Sequence, residues 1–181
     1  MQLRDFLSYE EIYIQCHDSP DADALASGFG LHTYFQNHGI KTHLIYTGRF
    51  RIRKANLVLM VEKLNIPVEY VEEGTLRLTD ELLLTVDSQY GAGNITKIPA
   101  EHIGIIDHHQ MEARNIPDSL ILSAFGSCST VVWKLLCEEQ FDPNDYPDLA
   151  TALYYGLYSD TQQFTEVHNP ADKDMHDALK Y

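Results

Sequence analysis

Ile12-Tyr13-Ile14-Gln15-Cys16-His17-Asp18-Ser19-Pro20-Asp21-Ala22-Asp23 is an apolar run that breaks off in a cluster of acids around one proline. Its first five residues read as a buried strand. Pro20 stiffens the turn that follows. Over residues 24–38, Leu25, Phe29, Leu31 and Phe35 recur at helical spacing, and Gly39 ends the helix. The unit is strand, turn, helix. His17, Asp21 and Asp23 therefore fall at the carboxyl end of a strand, where open α/β sheets hold their ligands.

Similar units follow. Strands are expected over residues 42–46, 68–71, 82–86, 103–106 and 120–125, and helices over 54–64, from the cap at 126–130 to about 139, and over 147–157 and 170–180. The helix over 147–157 is apolar nearly all round and so belongs to the interior. Strands separated by helices predict an α/β fold. We expect a mainly parallel, doubly wound (Rossmann-like) sheet of about five strands flanked by helices, with right-handed crossovers. No linker interrupts it, so residues 1–181 are expected to form one domain.

The formal net charge of −14 argues against an extended nucleic-acid footprint, which needs basic surface. No stretch is long and apolar enough to span a membrane, and the amino terminus has no signal-peptide core. Cys16, Cys128 and Cys137 lack metal-finger spacing and are odd in number, so they read as free thiols in a reducing cytoplasm. The basic stretch Arg49-Phe50-Arg51-Ile52-Arg53-Lys54 reads as a solvated loop and helix start, with an anionic ligand as the alternative. Gly28-Phe29-Gly30 and Gly91-Ala92-Gly93 do not complete a dinucleotide fingerprint after a strand. Tyr154, Tyr155 and Tyr158 read as packing rather than as a stacking platform for bases.

The chemistry lies at the element ends. Asp21 and Asp23 flank one residue in a turn, Asp87 ends a second strand, Asp107-His108-His109 ends a third, and Asp160 follows the buried helix. Singly, each has a simpler reading as a cap, a turn residue or a surface pair. Together they crowd carboxylates and imidazoles onto a common rim, which is costly without positive charge. Ligands of this kind without thiolates favour manganese, magnesium or cobalt over structural zinc. Two such ions about 3.5–4 Å apart would clamp the attacking and leaving oxygens of a phosphoryl transfer.

The motifs His17-x-x-Pro20-Asp21-x-Asp23, Asp87 after an apolar strand, Asp107-His108-His109, and Gly156-Leu157-Tyr158-Ser159-Asp160-Thr161 occur in an order that resembles the amino-terminal domain of the DHH phosphoesterases. That superfamily includes manganese-dependent pyrophosphatases, RecJ-type exonucleases, and oligoribonucleases that also dephosphorylate phosphoadenosine phosphate. The resemblance spans residues 17–161 and is closest to the oligoribonuclease and RecJ-like branch. It implies a hydrolase acting on phosphoester bonds of short oligonucleotides or small nucleotide phosphates by a two-metal hydroxide mechanism.

The resemblance assigns His17 and Asp21 to one ion, Asp23, His108 and Asp160 to the other, and Asp87 to the bridge. His109 would approach the substrate phosphate or leaving oxygen, with Asp107 orienting a neighbouring histidine. Ser127, Ser129 and Thr130 open a helix whose amino terminus is expected either to bind phosphate or simply to be capped. The implied cofactors are two divalent ions, Mn²⁺ foremost, with Mg²⁺ or Co²⁺ as substitutes. The implied partner is a small phosphorylated substrate or short oligonucleotide, and a homodimer is left open. Pyrophosphate or polyphosphate is the alternative substrate. A non-catalytic metal- or nucleotide-binding module is the reading of a different class, and the complete ligand set counts against it. Family members usually carry a second, substrate-recognising domain, so the chain is read either as a lone catalytic domain or, the favoured expectation, as truncated after Tyr181 and weakly active alone.

Overall fold

The computed structural model describes residues 1–111 and 115–181. The strands are β1 (Glu11–Cys16), β2 (Lys41–Tyr46), β3 (Val68–Tyr70), β4 (Leu78–Val86), β5 (Ala100–Asp107) and β6 (Asp118–Ile121). The helices are α1 (Ala22–Asn37), α2 (Ala55–Lys63), α3 (Cys128–Glu138), α4 (Pro147–Asp160) and α5 (Pro170–Ala178). The six strands form one sheet in the order β3-β2-β1-β4-β5-β6, and every neighbouring pair is parallel. The expected α/β class and parallel sheet hold, with six strands where about five were expected. The last strand ends at Ile121 rather than near 125, because the chain turns there: the Phe125 N–H donates to the Leu122 carbonyl at 3.0 Å. The expected interior helix continues beyond 157, so Asp160 is its last residue.

Side-chain alternation divides the core. Ile12, Ile14 and Cys16 of β1, with Leu82, Leu84 and Val86 of β4, join the larger cluster with Leu25 and Leu31 of α1, Val131 of α3 and Leu153 of α4. Tyr13, Ile45 and Leu83 turn to a smaller cluster with Leu78 and Ile98. Both faces of β4 are thus covered, which is why residues 82–86 are uninterruptedly apolar apart from Thr85. The α1 glycines serve packing rather than dinucleotide binding: a Cβ on Gly28 would lie 2.4 Å from Leu44 Cδ1.

From β1 the chain steps outward through β2 to β3, then returns to place β4 on the other side of β1. The reversal opens a crevice at the carboxyl ends of β1 and β4, the usual ligand position in this architecture. Among the described residues, no helix is long and apolar enough to cross a membrane.

Candidate metal centre

Register lines up the first ligand atoms. Cys16 lies beside Val86 and Val86 beside Ile106, so the next residues, His17, Asp87 and Asp107, lie next to one another at the carboxyl edge of the sheet. The Asp87 N–H donates to the Ile106 carbonyl at 3.0 Å. Asp87 also adopts a left-handed backbone (φ 57°), which aspartate tolerates better than most residues and which ends the strand. Its side chain is 2% exposed. Asp21 caps α1 by accepting from the Ala24 N–H at 3.0 Å, and Asp23 enters in the first helical turn.

Asp160 arrives on α4, which reaches this rim through a close approach at Gly156. A Cβ there would stand 2.1 Å from Ser129 Oγ and 3.2 Å from Asp23 Oδ1. The glycine of the Gly156-to-Thr161 motif is therefore a spacing device for the carboxylate one turn later.

The side chains converge in two groups. In one, His17 Nε2 lies 3.6 Å from both Asp21 Oδ2 and Asp87 Oδ2. In the other, His108 Nε2 lies 3.6 Å from Asp23 Oδ2, 3.3 Å from Asp87 Oδ1 and 3.2 Å from Asp160 Oδ2. Asp87 belongs to both, with one oxygen turned to each imidazole. Within His17/Asp21/Asp87 and within Asp23/His108/Asp160, one ligand atom from each residue lies within 4.8 Å of the others. Asp87, His108 and His109 form a third such group.

Both imidazoles are oriented from behind. His17 Nδ1–H donates to the Asp18 carbonyl at 2.9 Å, and His108 Nδ1–H to the Phe125 carbonyl at 3.1 Å. Each therefore presents Nε2 to the carboxylates, the arrangement common to metal-binding histidines.

Without a cation, the charges settle on the histidines. Burial opposes a charged His17, yet its hydrogen bonds to the Asp21 and Asp87 carboxylates outweigh it and its pKa is pushed up to about 11. The same contest at His108, with Asp160 and Asp87 as partners, ends at about 12. Burial, together with the Asp87 and Asp160 carboxylates, pushes Asp23 well above the usual carboxylate range. Among the described residues, Asp87 Oδ1 and His108 Nε2 are buried without a well-directed hydrogen bond. A buried carboxylate oxygen and imidazole nitrogen facing one another, in groups that contain no cysteine, fit a hard divalent cation in place of the protons.

Protons and metal would compete for these imidazoles. Manganese affinity is therefore expected to rise by about tenfold per pH unit for each proton displaced. Calorimetric titrations between about pH 6 and about pH 8 would measure it. An affinity that does not change with pH would exclude both histidines as ligands.

Ser127, Ser129 and Thr130 require a correction. They are fully buried, and the α3 amino terminus already holds the protein's own carboxylates. The Cys128 and Ser129 N–H groups donate to Asp23 Oδ2 and Oδ1 at 2.7 and 2.8 Å, and the Ser129 hydroxyl donates to Asp23 Oδ1. Ser127 Oγ accepts from the Thr130 N–H, while Thr130 Oγ1 donates to Asp172 Oδ1 at 2.6 Å. The capping alternative is the observed one, and no hydroxyl of the three is open to a substrate phosphate.

Two contributors were missed by sequence reasoning. Asp172 of α5, fully buried, also accepts from the Gly126 N–H at 2.8 Å and so fixes the turn whose Phe125 carbonyl orients His108. Gln89 Nε2 donates to Asp107 Oδ2 at 2.9 Å and to the Gln110 carbonyl at 2.9 Å. Asp107 Oδ1 in turn accepts from His109 Nδ1–H at 2.7 Å. Burial acts against the Asp107 charge, but His109 and Gln89 hold its pKa below the ordinary value. His109 is 55% exposed and, with Gln89, Gly93, Asn94 and Gln110, lines a cavity of about 280 Å³. A larger cleft, about 940 Å³, lies elsewhere, between α1, the start of β2 and the start of α4, and contains none of these groups.

Residues 11–157 match the model of the DHH family, N-terminal domain. The chain belongs to the DHH family. It is 28% identical over 162 residues to an uncharacterised protein of Methanocaldococcus jannaschii, covering 89% of this chain and 32% of that protein. It is 27% identical over 155 residues to a probable manganese-dependent inorganic pyrophosphatase of Streptococcus thermophilus, covering 83% and 48%. The fold is similar to that of an exopolyphosphatase-related protein from Bacteroides fragilis, with a TM-score of 0.70, 19% identity, and coverage of 97% of this chain and 54% of that one. The chain thus spans half or less of the length of these curated relatives.

Proposed function

We propose that this chain is the catalytic domain of a metal-dependent phosphoesterase that hydrolyses short oligonucleotides or small nucleotide phosphates. One observation carries the reading: Asp87, buried at the topological switch, turns one carboxylate oxygen to each of two His/Asp groups. On this reading His17 and Asp21 hold one divalent ion, Asp23, His108 and Asp160 the other, and Asp87 both. When bound, the ions supply positive charge to the phosphate and lower the pKa of a water near it. A manganese-dependent relative supports that choice of metal.

The remaining work falls to the chain's own side chains. Asp107 fixes His109 through Nδ1, so Nε2 is the atom available to hold a proton at the leaving oxygen. Gln89 fixes Asp107. Gln89→Ala is expected to lower turnover by about tenfold with manganese affinity unchanged, since it disturbs orientation and not ligation. Equal losses of turnover and metal affinity would show instead that the site had collapsed.

The similarity to a pyrophosphatase favours a second substrate, pyrophosphate or polyphosphate. Phosphate release in Mn²⁺ from a dinucleotide, a 3′-phosphorylated nucleotide and pyrophosphate, measured side by side, separates the two. Faster turnover of the nucleotides supports the proposal, and pyrophosphate alone would replace it. Metal binding with no phosphate release from any of them would mark a non-catalytic module.

A further inference from the structure

We infer that the arm between β2 and α2, residues 47–54, binds a short single-stranded oligonucleotide beside the metal centre, its arginines taking phosphates and Phe50 a base. The inference names the substrate of the site proposed above and rests on that reading.

Charge distribution comes first. The chain has 27 acidic and 13 basic residues, yet Arg49, Arg51, Arg53 and Lys54 fall within six positions, and all four are exposed. Elsewhere Arg4, Lys41, Lys134 and Lys173 each pair with a carboxylate, whereas among the described residues the scattered Lys63, Arg77, Lys97 and Lys180 do not. Among the described residues, none of the four in the arm pairs with one either. Their guanidinium groups lie over rings instead, Arg49 and Arg53 at 5.2 and 4.8 Å from the Phe50 centroid and Arg51 at 4.6 Å from that of Tyr70. Phe50 is itself 46% exposed. The guanidinium groups cover part of the Phe50 ring, and the rest stays open to solvent.

Position comes next. The arm leaves the carboxyl end of β2, which adjoins β1, so it stands on the same edge of the sheet as His17. Its start is tied to the residue after His17. Thr47 Oγ1 donates to Asp18 Oδ1 at 2.9 Å, and Gly48 (φ 100°) passes so close that a Cβ would meet Asp18 at 2.8 Å. Midway, the Ile52 N–H donates to the Tyr46 hydroxyl at 3.0 Å. Just past the arm, Asn56 Nδ2 donates to the Tyr155 hydroxyl at 3.1 Å, on the helix that ends in Asp160. The arm is therefore braced between the elements that carry His17 and Asp160.

Chemistry selects the ligand. Guanidinium groups match phosphate oxygens with paired donors, and nucleic-acid bases stack on exposed aromatic rings irrespective of sequence. An inorganic polyphosphate would use the arginines and leave Phe50 without a role. A short strand threaded past the arm uses both, and one small basic patch is compatible with the acidic surface elsewhere.

Fluorescence anisotropy of labelled hexathymidylate with the chain in EDTA tests the arm without turnover. Exchanging Arg49, Arg51 and Arg53 together for glutamine is expected to weaken binding at least tenfold. The slope of log affinity against log salt should become shallower by about two. Phe50→Ala is expected to weaken it by about tenfold, leave the slope unchanged and have no effect on competition by tripolyphosphate. The inference is overturned if hexathymidylate does not bind, if these folded variants bind it like the parent, or if polyglutamate competes equally well. Mn²⁺-dependent release of phosphate from small substrates, measured on the same preparations, reports on the metal site alone. Turnover with no oligonucleotide binding refutes the arm, whereas arm-dependent binding with no turnover refutes the phosphoesterase reading.

Discussion

Asp87→Asn, which keeps the shape of the side chain and tolerates the left-handed backbone, is expected to lower Mn²⁺-stimulated phosphate release by about 10³-fold or more, with circular dichroism close to that of the parent. The size of the loss follows from position. Asp87 is the carboxylate that faces both His17 and His108, so on the proposed reading its removal would disturb both ions at once. The survival of the fold follows from its bonding. Its backbone N–H is paired to Ile106, its side chain ends no helix, and one of its oxygens already lacks a well-directed hydrogen bond. Turnover within about tenfold of the parent would remove Asp87 from the centre and with it the two-ion scheme.

Asp23→Ala is expected to have the largest effect on stability, about 3 kcal/mol or more, seen as a fall in Tm of roughly 10 °C. Asp23 is a candidate ligand, but its carboxyl group is also the acceptor at the α3 amino terminus, satisfying two N–H groups and one hydroxyl. Truncation leaves those buried donors without a partner. Asp160→Ala provides the contrast. It removes a carboxylate from the same group but, among the described residues, no helix-terminal N–H depends on it. It should therefore abolish binding at that position while shifting Tm by only a few degrees. Equal melting losses for the two variants, measured by scanning calorimetry without metal, would contradict the separate roles.

The candidate site was legible because its chemistry sits where hydrophobic runs stop. The apolar runs before His17, Asp87 and Asp107 mark strands, and parallel neighbours bring their carboxyl ends together whatever the loops between them do. Helical spacing likewise placed Asp160 near the end of an interior helix, although the helix proved one turn longer. Local pattern could not reveal the supports. Asp172 looks like a polar residue on a short exposed helix, yet it reaches Gly126, 46 residues away, and is fully buried there. Gln89 acts across 18 residues through one amide. Ser127, Ser129 and Thr130 were open to two readings for a related reason. A helix amino terminus takes whichever anion packs against it, and here Asp23 and Asp172 arrive by tertiary contact. The basic arm is the converse case: its composition was evident, whereas its bracing beside His17 and Asp160 emerged only from the fold.

The most direct test of the central claim is anomalous diffraction at the manganese edge from crystals of the chain soaked in Mn²⁺. Two peaks about 3.5–4 Å apart are expected, one beside His17 and Asp21, the other among Asp23, His108 and Asp160, with Asp87 reaching both. No peak, or a single peak that leaves either group unliganded at saturating Mn²⁺, would contradict it.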